Sequence, residues 1–527
     1  MSADNPSRAI LAIDHGTSGI KVALVTPRGD VVDFEFEPMP TRFLPGGGAE
    51  QDPRGWWRAL VAATSRLLAR GRIPASAVAA VGVSSTFSST VAVDAAGDPL
   101  MSALTWMDSR GAPYVKRVVR GFPSIDGYGL TKIIPWIRKT GGGPQRSGKD
   151  DIAHVLLVRH EHPHIYEKTF KFLGSKDYLN LKLTGEFAAT TDSITLFWVT
   201  DTRDIRRVRY DDGLIARLGI DREKLPALVA STDVIGTLRP AAAAELGLPE
   251  GVKVVGGSPD HQSALVGSGA VRDFEGHLYV GTSSWIECIV PFRKTDLLHS
   301  IASLPSAIPG KYQCINEQDM AGGCLAWLKE NVFDEMTTLG AGEAGRITYA
   351  DLDGIAANVP AGANGLIFAP WLNGERTPVD STTLRGGFFN LSMTTSAADL
   401  VRAVLEGVAF NTRWSLGTVE KFIGRRMDPL NIIGGGARSP LWCQIFADVL
   451  GRTIRRVKDP IQANARGAAF IAAVGLGEIA FEDIPGLIAY EGTCEPDPAN
   501  RATYDGLHRE FLAIYKATKG IYRRLNG

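Results

Sequence analysis

The stretch AILAIDHGTSGIKVALV, residues 9–25, decides the fold. Two short apolar runs, residues 9–13 and residues 20–25, are joined by a polar segment that contains glycine. Apolar runs on either side of a tight, glycine-containing turn are typical of a β-hairpin. The sequence therefore predicts a hairpin as the first element of the fold.

The turn of this hairpin carries residues suited to a nucleotide phosphate. Gly16 lets the backbone approach a phosphate, and the turn N–H groups and the Thr17 hydroxyl can donate hydrogen bonds to it. The Asp14 carboxylate suits Mg²⁺ held through water. An ordinary hairpin turn is the alternative for this segment taken alone.

A similar unit returns later in the chain. The run HLYV (277–280) is followed by Gly281-Thr282-Ser283-Ser284 and then by WIECIV (285–290). Two strand–Gly-Thr-Ser–strand units suggest two related domains, each opening with a turn that fits a phosphate. Chance similarity of two short turns is the alternative.

A candidate general base follows a third apolar run. Asp260 lies in GGSPDHQ (256–262), directly after VKVV (252–255). A loop at a strand end is exposed while the strand is rigid, which favours catalytic groups at such positions. A carboxylate there can accept the proton of a substrate hydroxyl during phosphoryl transfer. A turn-forming aspartate is the alternative.

A glycine-rich segment marks another change from strand to helix. LNII (430–433) precedes GGGA (434–437), and Ser439 and Pro440 suit the N-cap and first position of a helix. The glycines could bind a phosphate at the helix start or support a purine, or they could be plain tight-turn glycines. Upstream, apolar spacing from about Ala397 to Glu420 predicts an amphipathic helix, with Ser396 and Asp399 as its capping box.

The composition narrows the class of protein. The 527 residues are 44% hydrophobic, enough for two sizeable cores, and mixed periodicities favour an α/β fold. Basic and acidic residues both number 57, which argues against a nucleic-acid partner. Five scattered cysteines suit a reduced, cytoplasmic protein, and no apolar run approaches the roughly 20 residues of a membrane span.

These motifs occur in a familiar order. The chain resembles the FGGY family of carbohydrate kinases, and within it the xylulokinase group, over roughly residues 9–475. The similar segments are DHGTSGIK (14–21), TWMDSRG (105–111), GSKDYLNLKLTGEF (174–187), GGSPDHQSA (256–264), GTSSW (281–285), AGGCLAWL (321–328), GERTP (374–378), RAVLEGVAF (402–410) and GGGARSPLWCQIFADVLG (434–451).

The resemblance implies two actin-like (ribonuclease H-like) ATPase domains with a cleft between them. We place the boundary near residue 270, giving an N-terminal domain of residues 1–270 with the sugar pocket, first phosphate turn and base. Residues 271–527 would form a C-terminal domain with the second phosphate turn and the adenosine site. ATP and Mg²⁺ would be the cofactors.

The resemblance also implies a role for individual residues. Asp14 would hold Mg²⁺ through water, and Asp260 would be the general base and contact the substrate. Candidate ATP and phosphate contacts are Asp14, Gly16, Thr17, Ser18, Lys21, Gly281, Thr282, Ser283, Gly322, Gly435, Gly436 and Ala437. Candidate substrate contacts are Phe87, Ser88, Trp106, Asp108 and Asp260.

Departures from the family pattern bear on the substrate. Many xylulokinases are similar to Gln-Met-His where this chain has Thr86-Phe87-Ser88, and glycerol kinases carry Gln-Arg-Glu there. The change disfavours glycerol. We expect ATP-dependent phosphorylation of a pentulose such as D-xylulose, or alternatively of another ketose, a tetritol or a pentitol. A nucleotide-driven ATPase of the actin or chaperone type is the remote alternative, and a homodimer is the candidate assembly.

Three further segments look functional but have simpler interpretations. Residues 139–151 (KTGGGPQRSGKDD) predict a surface loop, and its near match to a P-loop has Asp150 in place of the Mg²⁺-binding hydroxyl. The histidines of HEHPH (160–164) are interrupted by a proline that breaks helical spacing. The basic cluster from Arg203 to Arg209 predicts a solvated face.

Overall fold

The architecture is that of a computed structural model, which describes residues 8–125, 127–334 and 347–527. Two large β-sheets dominate it, one from each half of the chain, with helices packed on both. No helix in these described ranges is at once long enough and apolar enough to cross a membrane.

The predicted hairpin forms the middle of the first sheet. Ala9–His15 pairs antiparallel with Gly19–Val25, and Ala9–His15 is buried along its whole length. A strand buried on both faces needs an unbroken apolar run, which AILAI supplies. The six strands, in spatial order, are Val234–Thr237, Lys253–Pro259, Val78–Ser85, Ala9–His15, Gly19–Val25 and Val31–Pro38.

The second sheet repeats this arrangement. Its hairpin, Gly276–Val280 with Ser284–Val290, is antiparallel, and Gly276–Val280 pairs in parallel with Leu430–Ile433, just as Ala9–His15 does with Val78–Ser85. The spatial order is Thr295–Asp296, Ile301–Pro305, Tyr312–Ile315, Ser284–Val290, Gly276–Val280, Leu430–Ile433, Ile454–Val457 and Tyr490–Cys494. The shared order confirms the two related actin-like domains predicted from the repeated turns.

Smaller sheets accompany the two large ones, all but one of them in the first half of the chain. The five-stranded sheet has the order Lys171–Gly174, Thr90–Val93, Ala103–Leu104, Gly48–Gln51 and Arg42–Leu44. The two-stranded sheets are Ser124–Ile125 with Tyr128–Gly129, Ala188–Thr190 with Ala227–Val229, Thr200–Asp201 with Arg209–Tyr210, and Ile367–Ala369 with Gly387–Phe389.

The predicted amphipathic helix is present and slightly longer than expected. It spans Ala397–Ile423, begins with the Ser396–Asp399 capping box and ends at Gly424, whose φ is +71°. The α-helices are Pro53–Ala69, Ala112–Val119, Leu130–Thr140, Asp151–Glu161, Pro163–Lys168, Ser175–Thr184, Asp212–Leu218, Pro240–Leu246, Asp260–Ser268, Gly322–Leu328, Tyr349–Ala357, Ala397–Ile423, Pro440–Leu450, Ala463–Gly475, Ile484–Leu487 and Arg501–Asn526.

Two helices join the sheets to each other. Ala463–Gly475, from the second half of the chain, packs in one apolar cluster with strands of the first sheet. Asp260–Ser268, from the first half, packs in the same cluster and also contacts Gly276–Val280 and Leu430–Ile433 of the second sheet. The division near residue 270 therefore separates the two sheets but not all of the helices that cover them.

The segment at residues 139–151 contains the predicted loop, but the loop is not a surface loop. Lys139 and Thr140 end a helix and Asp151 begins the next one; half of the residues between them are buried and only Ser147 is exposed. Gly142 lies against the ring of Trp198, where a Cβ atom would be 2.5 Å from the ring. In the sequence these glycines are typical of an exposed turn, but in the structure they allow close packing against neighbouring side chains.

Candidate active site

The floor of the cleft is built around the Asp14 carboxylate. Asp14 is 9% exposed. Its two oxygens each lie 3.4 Å from a side-chain nitrogen, one being Nζ of Lys21 and the other Nδ2 of Asn464 in the helix Ala463–Gly475. Lys21 also donates to the Ile461 carbonyl at 2.8 Å. The first hairpin and a helix from the other half of the chain therefore meet at this carboxylate.

The first phosphate turn lies beside a predicted sugar-pocket residue. Gly16 and Thr17 are half-buried and Ser18 is exposed. The indole Nε1 of Trp106 donates to Thr17 Oγ1 at 2.9 Å, and Nε2 of Gln51 donates to the Thr17 carbonyl at 2.8 Å. The structure thus brings Trp106 and the Gly16–Ser18 turn together, as a site that joins sugar and phosphate requires.

Asp260 lies at the same sheet edge as Asp14. It is the first residue of the helix Asp260–Ser268 and directly follows the strand Lys253–Pro259. That strand and Ala9–His15 both run parallel to Val78–Ser85, which lies between them. The two backbones are therefore about 10 Å apart at the carboxyl ends of their strands, where α/β proteins bind ligands.

The surroundings of Asp260 make it a stronger base than an ordinary aspartate. Burial is the main cause that raises its pKa to about 6; the positive charge of His261 opposes this shift, and the negative charges of Asp14 and Glu317 add to it. A carboxylate with this pKa is still mostly ionised at neutral pH and takes up a proton more readily than one near 4.

His261 beside it is held by a buried carboxylate. Its Nδ1 lies 2.8 Å from Oε1 of Glu287, whose other oxygen accepts from Gln313 Nε2 at 2.7 Å. The imidazole stacks on Trp285 with ring centroids 4.1 Å apart. Burial alone would lower the pKa of His261, but Glu287 outweighs it and the pKa rises to about 9. His261 is therefore cationic at neutral pH.

The second phosphate turn meets Gly322 on the opposite wall of the cleft. The Gly322 N–H donates to the Gly281 carbonyl at 2.8 Å, and the Ala321 N–H donates to the Thr282 carbonyl at 2.7 Å. Thr282 is exposed, while Gly281 and Ser283 are half-buried. The predicted phosphate turn and the predicted adenosine glycine are thus neighbours, although they lie in different segments of the chain.

The glycine-rich segment adjoins this turn from the neighbouring strand. Gly434 has φ +87°, a left-handed conformation that favours glycine, and it packs against the Val280 carbonyl. Gly435 is exposed, with no atom near the position of a Cβ. Gly436 and Ala437 are buried, so only their backbones could support an adenosine. As predicted, Ser439 caps the next helix and Pro440 begins it.

The predicted sugar contacts divide into half-buried and buried residues. Trp106 and Phe87 are half-buried, and the Phe87 ring lies edge-on to His261 with centroids 6.1 Å apart. Ser88 is buried with φ +56°, and its hydroxyl donates to the Lys149 carbonyl at 2.7 Å. That hydroxyl is therefore already engaged by the protein.

Asp108 does not reach the surface of the pocket. It is fully buried, and its carboxylate accepts from the Ala49 N–H at 2.9 Å and from the Arg110 guanidinium at 2.6 Å. Arg110 also binds Glu50 at 2.7 Å. This geometry corrects the expectation of a direct sugar contact, because Asp108 stabilises the wall behind Trp106 and leaves no surface for a ligand.

A group of charged residues that the sequence analysis missed faces Asp260. Arg376 pairs with Glu317 and, at 3.3 Å, with Asp319. Lys149, from the misassigned loop, lies within electrostatic range of these three residues. Arg376 lies in the recognised GERTP segment, to which the sequence analysis gave no role. Lys149 lies in the near match to a P-loop, where no site is predicted, and Asn464 had no motif; only folding brings these residues to the site.

The apparent metal-binding and basic segments stay on the surface. His160 and His164 are exposed, and His160 stacks on the Tyr114 ring at 4.7 Å. Among the residues that the structure describes, no group of three or more His, Cys, Asp or Glu side chains could hold a metal ion. The four arginines between residues 203 and 209 are exposed, which confirms the predicted solvated face.

Known proteins resemble this chain along almost its whole length. The xylulose kinase of Staphylococcus epidermidis is 28% identical over 521 residues, 97% of each chain. The gluconokinase of Bacillus licheniformis is 25% identical and covers 98% of this chain and 97% of its own. The crystal structure of ligand-bound xylulose kinase from Lactobacillus acidophilus shares the fold, with a TM-score of 0.84, 24% identity and coverage of 98% and 100%.

Family models agree with these similarities and with the two sheets. The model for the FGGY family of carbohydrate kinases, N-terminal domain, matches residues 9–267, and that for the C-terminal domain matches residues 278–476. The first model spans the whole of the first large sheet, and the second overlaps every strand of the other sheet except the last, Tyr490–Cys494; each includes one Gly-Thr-Ser turn. The chain therefore belongs to the FGGY family of carbohydrate kinases, and it is a carbohydrate kinase.

Proposed function

We propose that this kinase transfers the γ-phosphoryl group of Mg-ATP to a hydroxyl of a small neutral sugar or polyol, with Asp260 as general base. A pentulose of the D-xylulose type is the leading candidate. The observation that carries the proposal is the position of Asp260, at the same sheet edge as Asp14 and with its pKa raised to about 6.

The transfer needs an acceptor for one proton. As the substrate hydroxyl oxygen bonds to the γ-phosphorus, the bond from that phosphorus to the bridging oxygen of ADP breaks and the hydroxyl proton passes to the Asp260 carboxylate. The Gly16–Ser18 and Gly281–Ser283 turns would donate backbone and hydroxyl hydrogen bonds to the phosphates. Trp106, whose indole N–H donates a hydrogen bond to Thr17, would hold the sugar beside the first turn.

The donors around Asp14 fit Mg²⁺ held through water. Mg²⁺ in kinases keeps several waters and uses one or two carboxylates together with the nucleotide phosphates. Asp14 supplies one carboxylate, and its Lys21 and Asn464 contacts at 3.4 Å are long enough to yield to water. When bound, the ion would neutralise charge on the phosphates.

The charges around Asp260 favour a neutral substrate. Asp260, Asp14, Glu287, Glu317 and Asp319 supply five carboxylates, against the four cations His261, Arg376, Lys149 and Lys21. An anionic sugar acid beside this group would meet net repulsion in addition to that of ATP. A xylulose-like substrate is therefore favoured over gluconate, although relatives of both names are similar to this chain. Another ketose, a tetritol or a pentitol would also satisfy the charge argument.

A kinase assay with ATP and a panel of acceptors tests the proposal. The panel comprises D-xylulose, L-xylulose, D-ribulose, erythritol, D-arabitol, glycerol and D-gluconate, each with and without excess EDTA. We expect turnover with a neutral ketose or polyol other than glycerol, and its loss in EDTA. Best activity on gluconate or glycerol would contradict the substrate proposal, and ATP turnover independent of any sugar would favour the actin-like ATPase.

A further inference from the structure

We infer that Lys149 is a substrate-binding residue, whose ammonium donates hydrogen bonds to hydroxyl oxygens on the edge of the sugar that lies next to Phe87 and Ser88. This inference rests on the proposed function and adds a specificity-determining residue to the same pocket. It assigns a role to the loop of residues 141–150 that the glycine-rich sequence does not reveal.

The backbone of Lys149 is anchored at its own carbonyl and at the residue that follows it. Its carbonyl accepts the Ser88 hydroxyl at 2.7 Å. The next residue, Asp150, is fully buried, caps the helix that starts at Asp151, and accepts from Trp198 Nε1 and the Gln145 N–H, both at 2.7 Å. The side chain therefore starts from a rigid point, as a residue that positions a substrate requires.

The ammonium lacks a partner of its own in the described part of the chain. Lys149 is half-buried, yet no hydrogen bond or ion pair within 4 Å joins its Nζ to a described residue. Burial and the charge of Arg376 lower its pKa, while Asp319 and Glu317 oppose that shift. A partly desolvated cation without a hydrogen-bond acceptor gains free energy when a ligand supplies one.

Phe87 and Ser88 themselves supply no free polar group to this edge of the pocket. The Phe87 side chain is apolar and faces His261, and the Ser88 hydroxyl is engaged by the Lys149 carbonyl. Sugar hydroxyls on this edge need a donor or acceptor to replace water. The backbone of Lys149 adjoins Ser88, and its ammonium is a charged donor within reach of the same edge. Nearby Glu317 and Asp319 oppose a carboxylate ligand, so we infer neutral hydroxyls as the ligand atoms.

A competing role is an ion pair across the cleft. On closure Lys149 could pair with Asp319 and serve domain movement without touching the sugar. The two roles differ in which kinetic constants they affect. A substrate contact changes the KM of the sugar and leaves that of ATP alone, whereas a closure contact changes both and also kcat.

Steady-state kinetics of Lys149→Met separates these roles. The sugar is the best acceptor of the wild-type enzyme from the panel above. We expect its KM to rise at least about tenfold, the loss typical of a charge-assisted hydrogen bond, with the KM of ATP within twofold of wild type. Lys149→Arg should recover part of the loss. With a deoxy analogue that lacks the contacted hydroxyl, wild type and Lys149→Met should be equal.

Lys168→Met is the matched control, because Lys168 is exposed, and it should leave every constant unchanged. A Lys149→Met enzyme with a normal KM for the sugar, or one with equal losses for sugar and ATP, would overturn the inference. So would a Lys149→Met effect that persists at full size with every deoxy analogue. Failure of the wild type on the whole panel would instead refute the proposed function, and the inference with it.

Discussion

At the scale of single residues, the proposed base and its neighbours set the chemistry. Replacing Asp260 by Asn keeps size and polarity but removes the proton acceptor. General-base assistance is typically worth about 10²–10⁴-fold, so kcat should fall by at least the lower figure while the KM of ATP stays unchanged. A near-normal kcat in the Asp260→Asn enzyme would show that another group is the general base.

The same variant tests the turn-forming alternative through its stability. Burial raises the pKa of Asp260 to about 6 in the folded protein, against about 3.9 in an unfolded chain. At pH 7 the ionised carboxylate therefore destabilises the folded state, and this cost disappears as the pH falls below about 4. Asp260→Asn should have an unchanged or higher Tm at pH 7. A clear drop in Tm would favour a structural aspartate.

The pH dependence of activity should report the Asp260–His261–Glu287 group. Asp260 must be ionised to act, so kcat/KM should fall as the pH drops through about 6. Glu287→Gln removes the carboxylate that keeps His261 charged, and without that positive neighbour the pKa of Asp260 rises further. The acid limb should shift to higher pH.

The control for this shift is Glu275→Gln. Glu275 pairs with Arg272 at 3.4 Å on the surface, remote from the site, and its loss should not move the profile. An unchanged acid limb in Glu287→Gln would show that His261 does not tune Asp260.

Residue roles differ in how far a sequence can predict them. Asp14 and Asp260 follow apolar runs, so their position at the end of a strand could be inferred from the sequence pattern. Asp108 stands in an equally recognisable segment, but its burial depends on Arg110 and the Ala49 backbone, which only the folded chain brings near. A motif therefore marks position more reliably than contact.

At the scale of elements, the crossing of two helices fixes how the halves of the chain meet. Gly267 in Asp260–Ser268 and Gly467 in Ala463–Gly475 pack face to face. A Cβ on Gly467 would lie 1.9 Å from the Ser263 carbonyl oxygen, and one on Gly267 would lie 1.8 Å from that of Ala463. Backbone atoms cannot move aside as a flexible side chain can. With any residue larger than glycine at either position, the two helices would have to move apart.

Gly467→Ala should therefore destabilise the protein by about 1–3 kcal/mol or more, the usual cost of overpacking. Chemical denaturation monitored by circular dichroism measures the change. Gly417→Ala is the matched control: Gly417 is an exposed glycine inside the helix Ala397–Ile423, with no atom near the added methyl group. That control should be neutral or stabilising, because alanine favours helix. A neutral Gly467→Ala would contradict the close crossing.

Elements defined by local signals were predicted well, and those defined by packing were not. The Ser396–Asp399 capping box and the Ser439–Pro440 start both lie where the sequence places them, because caps depend on neighbours in the chain. The loop at residues 141–150 was predicted but its partial burial was not, because its glycines accommodate Trp198 and its Asp150 receives the indole N–H from a distant segment.

At the scale of the whole molecule, the duplicated sheet is the reason why the proposed function draws on both halves of the chain. Each half supplies one Gly-Thr-Ser turn at the edge of its own sheet. The repeated hairpin could be predicted from the sequence, because both copies have an apolar run on each side of the Gly-Thr-Ser turn. The packing of Asp260–Ser268 and Ala463–Gly475 against the sheet of the opposite half could not be predicted, since it depends on contacts between residues far apart in the chain.

The last prediction concerns movement of these halves. If the two Gly-Thr-Ser turns bind the phosphates of one ATP from separate sheets, as proposed, closure of the cleft would bring both turns to the nucleotide and keep water from the phosphoryl group. Small-angle scattering should therefore show a smaller radius of gyration with the acceptor sugar and a non-hydrolysable ATP analogue together than with either alone. Asp260→Asn should close to the same extent, because it lacks the base but keeps both phosphate turns. The wild type is measured without ligand, with the sugar, with the ATP analogue and with both. Identical profiles in these four states would mean that the ligands do not close the cleft.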